Sequence, residues 1–409
     1  MAFIKHRISA PGLRTETVSF LNNFGAVTIQ SPDRQTLTIR VLHIDTERTW
    51  RGGENQILEL IKGLKTPDVV SYLVAPPDSE VLKRMAPYAK VVGMQLGTLQ
   101  VLKAVREISR LCLAERIDII DAQTSRAHAL AVLVKRRVPS LRLVVHRRVD
   151  YIPTHTPFSR FKYLTRGVDR YVAISEAVKE ILVNYGVASS RIAVVRSAVS
   201  ANDTLTLDRA TARAQLAEEL GFDPQPPVIV NVAYMTMQKG HATLLWGLKL
   251  LKDEGQPFTA LLVGDGPIRR KVERLAANLG LDNEVRFAGI RADVPRFLAA
   301  ADLFTLPSNY EGLGTSILDA IHAGLCVVAT EVGGIPEIIS HGQTGLLSPV
   351  GDGQALGRNL KMALNHPDEA QKLAAAARQH IAQRFSVSQM VEGNLEVYRD
   401  VLGMTKTQG

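Results

Sequence analysis

Two carboxylates eight residues apart, Glu311 and Asp319, bracket the start of a helix-like apolar pattern that follows the turn Pro307-Ser308-Asn309-Tyr310-Glu311-Gly312-Leu313-Gly314-Thr315. An apolar strand ends at Leu306, and the helix opens near Gly314 and closes at Gly324, a residue suited to the position just past a helix end. Backbone N–H groups at such a start have no intrahelical partner and carry the positive end of the dipole. The turn of Gly312, Leu313, Gly314 and Thr315 therefore suits phosphate or sugar oxygens. Alone, the two acids also fit a solvated Glu and an ordinary helix Asp. Lys239 follows another strand and, taken alone, reads first as a surface lysine. Gly52 and Gly53 lie in the first strand-to-helix loop, where a missing Cβ permits either a tight turn or close approach to a ligand. His146 ends a strand and is followed by Arg147 and Arg148, so a basic pair stands at a sheet edge that also suits a plain polar rim.

The surrounding pattern shows what must position these groups. Residues 37–44 alternate and are β-branched like a strand. Helical spacing follows over 54–64, then strands over 69–74, 117–120, 141–145, 171–174 and 192–195, with helices over 101–114, 126–137 and 176–185. A polar stretch over 199–227, with one short helical segment and a Pro-rich end, reads as a linker. A second alternating series has strands over 228–232, 260–263, 285–288, 303–306 and 327–329. Strands separated by helices imply parallel β-α-β units with right-handed crossovers. The expectation is an α/β chain of two Rossmann-like doubly wound domains, 37–198 and 228–385, facing across a cleft, with a helix over 386–409 returning to the first domain. Residues 1–36 lack an apolar h-region and a cleavage site, and read as a loosely ordered N-terminal extension or a start codon set too far upstream.

Composition narrows the class. With 409 residues and 46% hydrophobic content there is material for two cores. No apolar run is long enough to span a membrane, and Cys112 and Cys326 sit in apolar stretches as buried free thiols of a reducing compartment. Aromatics at 5% are too few for stacking on single-stranded nucleic acid, so a nucleic-acid partner is not expected from charge alone. Gly264-Asp265-Gly266 is no dinucleotide fingerprint, because Arg269 stands where a third glycine belongs. No metal-ligating or cofactor motif occurs, so neither is expected.

The Glu311-to-Asp319 stretch closely resembles the Glu-x7-Glu region of family 4 retaining glycosyltransferases (glycosyl transferases group 1) of the GT-B fold. The likeness continues through Gly264-Asp265-Gly266-Pro267, 285–289, 301–308, 329–337, Gly342-Gln343-Thr344-Gly345-Leu346-Leu347, Gly52-Gly53 and 173–177, covering about 40–402. It implies that Glu311 contacts the hydroxyls of a donor sugar and that Asp319, one methylene shorter than the family's Glu, holds the ribose hydroxyls. Lys239 takes the place of a lysine at the donor diphosphate, in the run Val232-Ala233-Tyr234-Met235-Thr236-Met237-Gln238-Lys239-Gly240, but the companion arginine is Tyr234. The Gly52-Gly53 loop is implied to face the phosphates and acceptor, and His146 the transferred sugar. Asp121 and Gln123, where relatives often carry His, receive no role.

The implied activity is retaining transfer from a nucleotide-diphospho-sugar to an acceptor hydroxyl. The setting is lipopolysaccharide or other cell-surface glycan synthesis on a glycan or lipid-linked acceptor, by a cytoplasmic protein peripheral on the inner face of the membrane. A nucleotide-sugar epimerase, a phosphorylase or a non-catalytic nucleotide-sugar binder would share the fold. The +9 net charge is concentrated between Arg126 and Arg170, where eleven basic residues face two acidic ones. Arg147 and Arg148 are candidates to replace the missing cation or to meet a phosphorylated acceptor. Arg160, Lys162 and Arg166, interleaved with aromatics, are expected to rest on an anionic membrane.

Overall fold

The computed structural model describes residues 38–50, 52–200 and 208–404, together with a short antiparallel pair, Ser19–Phe20 with Val27–Thr28. Apart from that pair, the expected N-terminal extension lies outside the described residues. Two parallel sheets carry the fold. The first has seven strands, in spatial order Lys90–Gly93, Val69–Ala75, Ile39–Ile44, Ile119–Ala122, Arg142–Arg147, Arg170–Ala173 and Ile192–Val194. The second has six, Val285–Gly289, Thr259–Val263, Val228–Val232, Leu303–Leu306, Cys326–Thr330 and Leu346–Ser348.

In each sheet the chain starts at a central strand, winds outward one way and then reverses, which gives the α/β two-domain arrangement of the GT-B fold. The reversal falls between Ile39–Ile44 and Ile119–Ala122 in the first sheet and between Val228–Val232 and Leu303–Leu306 in the second. Ligands of such sheets bind beyond the carboxyl ends of the strands at this reversal, because the flanking helices leave on opposite faces and open a crevice there. Helices cover both faces, so the central strands are near-continuous apolar runs with Leu42, Leu73, Ile120, Val144, Val230, Leu261, Phe304 and Val328 fully enclosed. Both cysteines are buried free thiols, and burial pushes each up to about 12.

The stretch read as a linker holds a longer helix than its polarity suggested. Arg209–Leu220 is capped by Asp208 and ends at left-handed Gly221. It buries Ala212, Leu216 and Ala217, and Arg213 pairs with Asp302 at 2.6 Å, so it travels with the second sheet. A further helix, Pro157–Leu164, was not legible as periodicity because it has only eight residues; Thr156 caps it and Pro157 starts it. It turns Lys162 and Tyr163 inward, where the ammonium donates to Ser125 Oγ at 2.9 Å. Lys162 is therefore withdrawn from the expected membrane-facing trio, while Arg160, Arg166, Phe158 and Phe161 remain exposed.

The last helix, Val387–Val401, packs on the first sheet after the second has been completed. Met390, Val397 and Tyr398 join Ile39, Val41, Leu60, Leu64 and Val172 in one apolar cluster. Arg170 and Asp400 pair at 2.7 Å, and Gly63 leaves the room that Val391 fills. Met390→Ala is expected to destabilise the protein by about 2–5 kcal/mol through lost burial and an unfilled cavity. Urea unfolding checks this; a midpoint unchanged from wild type would contradict the packing described.

Candidate active site

The second-domain wall is built on a loop that few residues other than glycine could surround. A Cβ on Gly240 would stand 1.8 Å from Pro307 O, and one on Gly333 would stand 1.8 Å from Glu311 O. Both glycines are left-handed, at φ +63 and +54. Pressed in this way, the turn after Leu303–Leu306 brings Glu311 against Lys239. The ammonium donates to Glu311 Oε2 at 2.5 Å, and Ser308 Oγ donates to the same oxygen at 3.1 Å. Lys239 is delivered by the single turn Met237–Lys239, which ends at Gly240.

Beyond Glu311 the helix Thr315–His322 starts at Gly314, φ +90, with no side chain capping its first turn. Its N–H groups are thus directed at the cleft without a protein acceptor of the usual kind. Asp319 lies one turn further in. Among the described residues no hydrogen bond or ion pair engages its carboxylate, and burial pushes it up to about 7.

The first-domain wall meets this loop closely. Ser175 Oγ donates to Gly312 O at 2.7 Å, and a Cβ on Gly312 would come within 2.3 Å of Arg148 O. Gly52, at the start of the helix Gly52–Gly63, faces Thr315, whose Oγ1 would be 2.9 Å from a Cβ there; Gly53 faces open space. Two helix N-termini, one from each domain, therefore converge. Glu337 ties the walls together beside them, accepting from Glu176 N at 2.7 Å and from Arg196 Nε at 3.0 Å.

His146 is the penultimate residue of the strand Arg142–Arg147 and is buried, with Nε2 3.0 Å from Asp121 Oδ1 though not aligned for a straight hydrogen bond. Burial lowers its pKa, outweighing the attraction of Asp121. Arg148 donates to Gln123 O at 2.9 Å and to Gln123 Oε1 at 2.6 Å, with Asp121, Asp45 and Glu54 as its surrounding acids. Asp45, at the end of the first strand, accepts from Glu47 N at 2.6 Å, and burial pushes its carboxyl up to about 7. Asp150 is also raised, by burial foremost, with Glu311 opposing its charge from the other domain.

The structure thus brings Glu311, Lys239, Gly312, Leu313, Gly314 and Thr315 together on one wall and Gly52, His146 and Arg148 on the other. Arg147 is not among them. Its guanidinium donates to Tyr163 OH at 2.6 Å, to Val149 O and to Tyr151 O, and lies over the Tyr151 ring. That cation is committed to holding the 149–163 segment, so of the expected basic pair only Arg148 reaches the acids of the cleft. Sequence reasoning missed Asp45, Asp121 and Asp150. Each follows or ends a strand at the sheet edge where ligands bind, the one signal that would have found them.

Residues 50–203 match the family described as Glycosyltransferase Family 4, and residues 212–380 match Glycosyl transferases group 1. N-acetyl-alpha-D-glucosaminyl L-malate synthase of Bacillus anthracis is 24% identical over 306 residues, 70% of this chain and 76% of the relative. Amylovoran biosynthesis glycosyltransferase AmsK of Erwinia amylovora is 31% identical over 170 residues, 40% of this chain and 42% of the relative. The chain spans about half to two thirds of the length of several of the curated relatives it matches. The structure of HepE from Anabaena in complex with UDP-glucose superposes with a TM-score of 0.77 at 22% identity, over 88% of this chain and 100% of that one.

The raised Asp319 has a measurable consequence. The folded protein keeps this carboxyl protonated up to about pH 7, whereas the unfolded chain ionises near 3.8, so the group's contribution to stability is complete below 3.8 and is lost as pH rises to 7. Asp319→Asn is expected to raise the thermal midpoint above pH 7 and to leave it nearly unchanged below pH 4. Equal shifts at both pH values would contradict a buried, unpaired carboxyl.

Proposed function

We propose an activity from one premise: the chain belongs to the group 1, family 4 glycosyltransferases of the GT-B fold. It transfers a glycosyl group from a nucleotide-diphospho-sugar to an acceptor hydroxyl with retention of anomeric configuration. The observation that carries this reading is the Lys239–Glu311 pair, set at the uncapped start of Thr315–His322 and facing the first-domain wall.

Within the site the ammonium and carboxylate neutralise each other. A diphosphate at the helix start competes for Lys239, and releasing that ammonium frees Glu311 to accept from sugar hydroxyls. One ion pair thereby couples recognition of the leaving group to recognition of the sugar. The bond from the anomeric carbon to the phosphate oxygen then breaks, leaving charge on the β-phosphate. Lys239 and the helix N-terminus stabilise that charge from fixed positions. The acceptor oxygen bonds the anomeric carbon on the face just vacated, and its proton passes to the departing phosphate oxygen. No enzymic nucleophile is assigned to the opposite face, so the double displacement of retaining glycosidases is not invoked.

Asp319 holds the ribose hydroxyls, and His146 lies beside the transferred sugar. Tyr234 supplies no positive charge where the family has Arg, so Arg148 is the first-domain cation left to assist. The biological setting we favour is cell-surface glycan synthesis, lipopolysaccharide included, on a glycan or lipid-linked acceptor. The similarity to a protein of amylovoran biosynthesis supports such a setting. Among the described residues no helix is long and apolar enough to cross a membrane. A peripheral contact would use Arg160 and Arg166 with exposed Phe158 and Phe161.

Glu311→Ala and Lys239→Ala are each expected to lower kcat by about 100-fold or more, as removal of a preorganised charge-stabilising group does. NMR of the first-formed product is expected to show the donor's anomeric configuration; inversion sinks the assignment. Transfer abolished by Glu311→Ala excludes a non-catalytic nucleotide-sugar binder, whereas binding without turnover across donors and acceptors would leave only such a binder on this fold. Sedimentation with anionic vesicles is expected to fall with added salt and with Arg160→Glu plus Arg166→Glu, each basic residue being worth roughly 1 kcal/mol. Binding unchanged by that reversal counts against the membrane contact.

A further inference from the structure

Asp121 stands where the first sheet reverses its winding, its Cα paired with His43 on one neighbouring strand and Val144 on the other. Its carboxylate is fully enclosed, yet side chains from several elements converge on it. Oδ2 accepts from His43 Nδ1 at 3.0 Å, from Gln123 Nε2 at 2.6 Å and from the Tyr398 hydroxyl at 2.6 Å. Oδ1 faces His146 Nε2 at 3.0 Å. At that separation an imidazole lone pair and a carboxylate lone pair would repel, so Nε2 must carry the proton and Nδ1 is left as the acceptor of the ring.

Tyr398 reaches this cluster from 277 positions away, on the helix Val387–Val401 that comes after the second domain is complete. Nothing in its packing requires the hydroxyl: the ring already fills the cluster of Ile39, Val41 and Val172, and phenylalanine has the same shape. The hydroxyl instead completes the donor set of Asp121.

We propose that Tyr398 acts through Asp121 as a positioning residue for His146, holding its ring in the Nε2–H tautomer and in one orientation. This rests on the reading above in which His146 lies beside the transferred sugar. The remaining charged and titratable groups around the pair are His43, Asp45, Glu54 and Arg148. Burial, joined by the Asp121 charge, pushes the Tyr398 phenol well above its ordinary value, so it remains a donor at any working pH. Burial opposes ionisation of Asp121, but the two imidazoles and their hydrogen bonds hold it below the usual carboxylate range. An ionised carboxylate that takes three donors on Oδ2 has little freedom to turn, which fixes Oδ1 against the imidazole beside it.

The test is nitrogen NMR of histidine-labelled enzyme at pH 8, with the His146 ring signals assigned by their loss in His146→Gln. The wild type should show one tautomer, protonated at Nε2. Tyr398→Phe and Asp121→Asn should each populate the other tautomer. The same variants should lower kcat about ten-fold or more while the donor KM stays within about two-fold. The donor for this assay is whichever of UDP-, GDP- and ADP-glucose the wild type turns over. Retention of the single Nε2–H tautomer in both variants overturns the proposal, whatever happens to activity, since a merely structural role would also lower kcat. A tautomer change with kcat intact upholds the network and overturns the role given to His146.

Discussion

The site depends on backbone lying directly against backbone around residues 307–314. Gly240, Gly333 and Gly334 press on the carbonyls of Pro307, Glu311 and Gly312, and Gly312 itself presses on Arg148 of the other domain. Any Cβ at these places would stand 1.8 to 2.3 Å from a carbonyl oxygen, a distance that backbone cannot yield without moving the whole turn. The glycines therefore set how close the second domain comes to the first, and with it the positions of Glu311, Lys239 and the helix start. The attraction between Lys239 and Glu311 completes an arrangement whose geometry the glycines have already fixed.

Charge follows from that geometry. Each wall brings its own counter-ions: Lys239 answers Glu311, while Arg148 is surrounded by Asp45, Glu54 and Asp121. The exceptions are carboxyls that burial alone governs, Asp319 foremost. A carboxyl raised by burial with no cation beside it stays neutral where a paired one would ionise, so it adds no charge to the cleft below about pH 7. The concentration of basic residues over 126–170 is less uniform than its composition suggests. Arg147 and Lys162 are consumed inside the domain by Tyr163 and Ser125, whereas Arg160 and Arg166 stay at the surface.

Much of this was legible in the sequence wherever the physics is local. Alternating β-branched runs such as 228–232 marked the strands, and the Gly-rich turn before 315 marked a helix start, because period and capping are properties of neighbouring residues. Local reading failed at three places for three reasons. Pro157–Leu164 is too short to show a period. The polarity of 199–227 shortened the helix expected there, because Arg209–Leu220 buries only a narrow stripe of Ala and Leu. Asp121 looked idle because its partners His43, His146 and Tyr398 come from three separate elements, and spacing along the chain carries no trace of such convergence.

The chain crosses between the domains twice, once between residues 198 and 208 and again where Phe385 gives way to Val387–Val401. Across the cleft Gly312 meets Arg148 and Ser175, and Glu337 meets Glu176 and Arg196. The contact of Tyr398 with Asp121 is of another kind, because the helix carrying Tyr398 is packed on the first sheet and both partners belong to the first domain. The groups that meet the His146 imidazole, Asp121 directly and Tyr398 through it, are thus supplied from within the first domain and do not depend on contacts across the cleft.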